Sequence, residues 1–212
     1  MTFNYKIIRS KRKTLSIVVS VDNVITVRCP NSMSDSEVKA FIEGKSQWIY
    51  KVLAENKAKN SVNEGILSYK EVYVAGHKIP LVFCERNKIE GSIIYVKNVP
   101  SIKKTLTKYF ADELLNFAKQ ISLQIKLYST DFSMRSYKSR WGCCDRKGAI
   151  TFNCLLIMLP QYLQRYVIIH ELCHTVYFDH SKKFWSLVAK FEPNYKLCRK
   201  NLKNFNYLTK LY

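Results

Sequence analysis

The 212 residues, 47% hydrophobic and 13% aromatic, suit one compact domain or two small lobes and exclude a mostly disordered or collagen-like chain. Only 6 Gly and 5 Pro leave little room for low-complexity linker. The formal charge of +19 admits nucleic acid, nucleotides or an anionic surface as partners, and equally a compositional excess of lysine, since 26 of the 35 basic residues are Lys.

No stretch spans a membrane: apolar runs such as 155–159 fall far short of the roughly 18–20 residues required. The basic residues up to Lys13 and the apolar ones after them lack a small-residue cleavage site, so the expected address is cytoplasmic. Seven cysteines without a C-x-x-C pair point to reduced thiols rather than a disulfide framework or zinc knuckle.

In chain order, Leu15, Ile17, Val19 and Val21 alternate with Ser16, Val18 and Ser20, the period of a half-buried strand. Val24 to Val27 forms a second strand after an Asp22-Asn23 turn, closed by Pro30. Ser34 followed by Glu37 is a capping box, and Val38, Phe41, Ile42, Ile49, Val52 and Leu53 supply a buried helical stripe to about residue 58. The polar stretch 57–63 reads as a loop. Short strands are expected at 72–75, 79–84 and 93–96, then a helix over 101–128 and two strands at 131–138 and 149–153 joined by a turn-rich 142–148 segment. From Leu159 the pattern is helical again, with Pro160 at the start.

The chemistry concentrates in that last helix. Three of the four histidines fall at His170, His174 and His180. In His170-Glu171-Leu172-Cys173-His174 the two imidazoles are four residues apart, on one face of a helix, where both can bind one metal ion. Glu171, one residue round the helix, brings a carboxylate beside a metal-bound water rather than into the coordination sphere. Zinc lowers the pKa of such a water towards 7 and the carboxylate takes its proton. Leu163, Tyr166 and Val167 run straight into His170, so these rings point inward, where unsatisfied imidazoles are costly. The third ligand has two candidates. His180 stands at the spacing of the last ligand in H-E-x-x-H-x-x-G-x-x-H, without its Gly; Glu192 stands eighteen residues beyond His174, as in zinc peptidases whose third ligand is a Glu on a later helix. His180 is preferred because an imidazole keeps the coordination sphere neutral.

Several motifs in order then carry a family likeness: Ser139-Arg140-Trp141-Gly142-Cys143-Cys144, Gly148-Ala149-Ile150-Thr151-Phe152-Asn153, the pentad itself, and Asp179-His180-Ser181-Lys182-Lys183-Phe184-Trp185. Together they resemble the YgjP-like zinc metallopeptidases, relatives in kind of the SprT- and WLM-type zincins. The resemblance implies zinc on His170, His174 and His180, Glu171 as catalytic acid/base, and an α+β zincin-like fold. In that fold a small mixed or antiparallel sheet packs on the H-E-x-x-H helix, after an N-terminal β-rich segment. Residues 1–100 would form the β-rich segment with one helix and 101–212 the catalytic region. Cys143 replaces the usual Ser and Asp179 the usual Asn.

Three further residues are candidate substrate contacts. Arg140 can bind an anionic group or stack on an aromatic ring; Asn153 can bond an edge-strand substrate or end its own strand; Tyr177 can donate to an oxyanion. The expected function is a zinc-dependent hydrolase of peptides or proteins. The alternatives are a metal-dependent nucleotide pyrophosphatase, suited to the basic surface, and a nucleic-acid-associated zincin-like module.

Overall fold

The computed structural model describes residues 3–20 and 23–212, without the side chains of residues 59 and 62. Two compact units are separated at Glu64/Gly65.

In the first unit, β1 (Tyr5–Ser10), β2 (Ser16–Val19) and β3 (Ile25–Pro30) form a sheet in the order β1-β3-β2. The expected hairpin is there: β2 pairs antiparallel with β3, Val19 opposite Ile25. Val21 and Asp22, read as part of that hairpin, lie outside the described residues. β1 is an addition to the sequence reading, parallel to β3 and turning Tyr5 and Ile7 towards the core.

The helix expected from residue 34 is two helices. In α1 (Asp35–Gly44), Ser34 and Glu37 make the capping box; the chain then breaks at Lys45 before α2 (Ser46–Val62). α2 absorbs the polar stretch read as a loop, because its Lys, Ala, Glu and Asn residues can extend a helix whose apolar face is already anchored at Ile49 and Leu53.

The second unit holds the main core. After α3 (Glu64–Leu67) come β4 (Glu71–Val74), β5 (His77–Phe83), β6 (Lys88–Glu90) and β7 (Ile93–Val96), a sheet ordered β4-β5-β7-β6. This sheet belongs with the C-terminal unit rather than with residues 1–64. The unit boundary therefore falls well before residue 100, because Val72, Ile94 and Val96 bury in the same cluster as the helices that follow.

α4 (Val99–Ile125) is capped by Asn98, which accepts from the Ser101 amide, and ends at Lys126 in a left-handed conformation. β8 (Phe132–Arg135), β9 (Gly142–Cys144) and β10 (Ile150–Asn153) form a mixed sheet, with β10 central, parallel to β8 and antiparallel to β9. A 3-10 helix (Cys154–Met158) leads to α5 (Gln161–His174), followed by α6 (Lys182–Phe191), α7 (Tyr195–Leu202), a 3-10 turn at Lys203–Phe205 and α8 (Leu208–Leu211).

The start of α5 is fixed by the β4–β5 turn. Ala75 and Gly76 both have positive φ, as a two-residue hairpin turn requires, and their amides donate to the carbonyls of Ile157 and Met158. A Cβ on Gly76 would meet Pro160 at 2.8 Å. α5 packs on β9, α4, α6 and α7, burying Leu163, Val167, Ile168, Ile169, Leu172 and Cys173. The architecture is thus α+β and zincin-like, with a small mixed sheet laid against the helix that carries H-E-x-x-H. Among the described residues no helix is long and apolar enough to cross a membrane. All seven cysteines are unpaired.

Candidate metal centre

His170 and His174 lie on the last turn of α5, and the chain leaves the helix at Thr175. Six residues beyond His174 it brings back His180, immediately before Ser181 caps α6 by accepting from the Phe184 amide. One ligand atom from each of the three histidines lies within 4.8 Å of the others. The Nε2 atoms of His170 and His180 are 3.2 Å apart. Two imidazole nitrogens at tetrahedral positions round one zinc ion, each about 2.0–2.1 Å from it, stand roughly 3.4 Å apart, so this pair has the right separation.

The rings are held for that geometry. His174 Nδ1 stands 2.9 Å from the Tyr177 carbonyl. A carbonyl only accepts, so Nδ1 carries the hydrogen and the Nε2 lone pair is free for a metal. Phe184, fully buried, stacks on His174 at 4.4 Å between centroids, and Trp185 stacks on His180 at 5.5 Å. Burial, reinforced by the neighbouring His174, His180 and Arg199, pushes the His170 pKa down to about 3. The ring is therefore neutral, the form in which imidazole ligates. Three imidazoles converging from a helix end and a tight turn fit a divalent cation such as zinc.

Glu171 faces the same space from one residue further round α5. It is only 6% exposed, and burial raises its pKa to about 8 against the opposing charge of Arg140. Its carboxylate lies against the backbone of β9: a Cβ on Gly142 would fall 2.6 Å from Glu171 Cγ and 2.7 Å from Oε1. Only glycine lets the strand come this close. His170, His180 and Glu171 open on a cavity of about 450 Å³ lined also by Arg140, Trp141, Tyr166, Trp185 and Arg199.

The remaining sequence candidates separate. Arg140 lines the cavity, its guanidinium over the Tyr137 ring at 5.7 Å rather than on Trp141. Trp141 is nearly buried at the cavity wall and donates from Nε1 to Asn206. Asn153 is no substrate contact. It is wholly buried, its amide nitrogen donates to the carbonyls of Tyr137 and Arg140, and its Oδ1 accepts from the Leu155 amide. The two amide hydrogens hold the loop that presents Arg140, and the oxygen caps the 3-10 helix that follows β10. Tyr177 is absent from the cavity lining; its carbonyl orients His174, and its ring packs on the core. Glu192 lies outside the histidine cluster and pairs with Arg165 at 3.6 Å. Asp179 braces the turn before α6, accepting from the Ser181 amide.

Sequence reasoning placed Tyr166 only in the apolar stripe leading to His170 and did not single out Arg199. Tyr166 carries a signal in retrospect, four residues before His170 on the same helix face. Arg199 carries none, being one cation in a lysine-rich tail until α7 packs beside α5.

Comparison with known proteins gives two findings. The YgjP-like metallopeptidase domain family matches residues 13–205. Among solved structures, the crystal structure of the metallopeptidase zymogen of Pyrococcus abyssi abylysin is similar at 26% identity and a TM-score of 0.37, over 43% of this chain and 90% of that one. No curated protein matches.

Proposed function

The chain belongs to the YgjP-like metallopeptidase family, and we propose on that footing that it is a zinc-dependent peptide hydrolase, with His170, His174 and His180 as the metal ligands and Glu171 as the catalytic acid/base. The observation that carries this reading is the convergence of the three imidazoles, within 4.8 Å of one another, two of them, His170 and His180, lining the cavity that Glu171 also lines. Zinc bound there would supply a Lewis acid that polarises the scissile carbonyl and acidifies a water.

The chain's own residues do the rest. Glu171, whose burial-raised pKa a bound dication would draw back down, accepts the proton of the attacking water at its carboxylate and delivers it to the leaving amine nitrogen. Its position is fixed by Gly142, which lets the β9 backbone press against the side chain. Trp141 and Trp185 wall the cavity with apolar surface, and Arg140 faces the substrate from the loop before β9. β9 is an edge strand of its sheet, paired with β10 alone, so its outer side is available to an extended peptide.

A phosphoanhydride substrate is the second reading, favoured by one observation: two guanidinium groups, those of Arg140 and Arg199, line the same cavity. Casein, short peptides and nucleoside triphosphates assayed in parallel separate the two. Peptide cleavage with intact nucleotides is expected. Glu171→Gln should retain about one zinc per chain and lose at least about a hundredfold in kcat; full turnover by that variant would sink the mechanism. Nucleic acid as a partner rests on the +19 charge alone, and a salt-titrated binding curve tests it, since phosphate contacts make affinity fall steeply with salt.

A further inference from the structure

The cavity at Glu171 is bordered by two segments of one sign. Residues 135–147 hold Arg135, Lys138, Arg140, Arg146 and Lys147 against Asp145, and residues 182–212 hold eight Lys and Arg against Glu192, which is already paired with Arg165. Of these cations only Arg140 and Arg199 line the cavity itself, one from the loop before β9 and one from α7. Neither has a carboxylate partner among the described residues.

Arg199 is the better organised of the two. Its guanidinium lies over the Trp185 ring at 5.0 Å, and Trp185 is itself stacked on Tyr195 at 5.3 Å with planes 18° apart. The guanidinium is thus seated over an aromatic shelf, and no hydrogen bond or ion pair to another described residue occupies its N–H donors. A planar, pre-oriented fork of donors matches a carboxylate, which it can bind through two parallel hydrogen bonds. At about 450 Å³ the cavity is at the small end of ligand clefts, so the bound carboxylate must sit close to the bond that is cut.

We propose that Arg199, assisted by Arg140, binds a substrate carboxylate, so that the protein cleaves peptides in which the residue beside the scissile bond bears an acidic side chain or the free C-terminal carboxylate. This rests on the peptidase reading above. It makes Arg199 a specificity residue and assigns the basic rim to substrate capture.

The test uses one short peptide in three forms: the free acid with a neutral last residue, the amide of that peptide, and the amide with Glu in last place. Binding of each to the zinc-loaded Glu171→Gln protein is measured by calorimetry, and cleavage of each by the wild type. One or both acidic forms should bind roughly 10- to 100-fold tighter than the neutral amide, and which one does so identifies the source of the carboxylate. Arg199→Gln should bring that ratio close to one, and Arg199→Lys, which keeps the charge and loses the fork, should fall between. A neutral amide bound as tightly as both acids, or a ratio indifferent to Arg199, would overturn the proposal. So would Arg199-dependent binding of inorganic tripolyphosphate with all three peptides alike. Discrimination in binding without cleavage of any peptide would overturn the peptidase reading and leave the carboxylate assignment standing.

Discussion

The two walls of the cavity are built by different physics. On the α5 side, His170 and Glu171, with His174 one turn further on, are placed by helical spacing alone, and the helix is fastened along its length by buried Leu163, Val167, Ile168 and Leu172. On the β9 side, Arg140 and Trp141 lead into the three-residue strand that Gly142 begins, with almost no local signal of their own. That wall is held from a distance, by the Asn153 amide under the Tyr137–Arg140 loop, by the Trp141–Asn206 hydrogen bond, and by a glycine pressed on Glu171. A wall set by periodicity tolerates many single changes; a wall set by a few long-range contacts fails when one of them is lost.

Substitutions can break this comparison, beginning with the largest effect. His180→Ala should empty the metal site and abolish activity, while Glu192→Ala, which loses only a partly exposed ion pair worth about 1 kcal/mol or less, should keep about one zinc per chain. Metal analysis of protein purified without a His-tag or added zinc reads both. Loss of zinc with Glu192→Ala alone would move the third ligand to that carboxylate.

Next comes Gly142→Ala. Its Cβ cannot coexist with Glu171 as placed, and the carboxylate is too buried to swing aside. An ångström of displacement at a catalytic group costs on the order of a hundredfold, so kcat/KM should fall by about that factor with zinc content unchanged. Loss of zinc together with activity would mean that the β9 wall also supports the ligands.

Asn153→Ala strips the donors from two part-buried carbonyls and the cap from the buried Leu155 amide. Destabilisation of about 2–4 kcal/mol is expected, seen as a lower midpoint in denaturant, with activity lost ahead of global unfolding as the Arg140 loop loosens. An unchanged midpoint would show that the wall is held by something other than this amide.

The same contrast explains what could be read in advance. The H-E-x-x-H helix, the capping box at Ser34 and the β2–β3 hairpin are local patterns, and each is in the structure where the pattern put it. β9 was read as turn because three residues, Gly142-Cys143-Cys144, carry no alternation; they are a strand only because β10 pairs with them. The polar end of α2 was read as loop because helix propensity without an apolar face is a weak signal. Asn153 was expected at the substrate because its residue type allows it, and its complete burial among backbone carbonyls is a property of the assembled sheet and loop.

By itself, then, the sequence determined the identity of the chemical groups: two imidazoles and a carboxylate at helical spacing, a third imidazole within reach, and a surplus of positive charge. These follow from covalent order and the 3.6-residue turn, which act over a few residues. Tertiary structure alone decided which groups share the cavity. It drew Arg199 onto the Trp185 shelf, withdrew Asn153 and Tyr177 from the substrate, tied Glu192 to Arg165 and brought Gly142 against Glu171. Those outcomes depend on how α5, α6, α7 and β9 pack, and close packing of distant segments leaves no mark in local sequence.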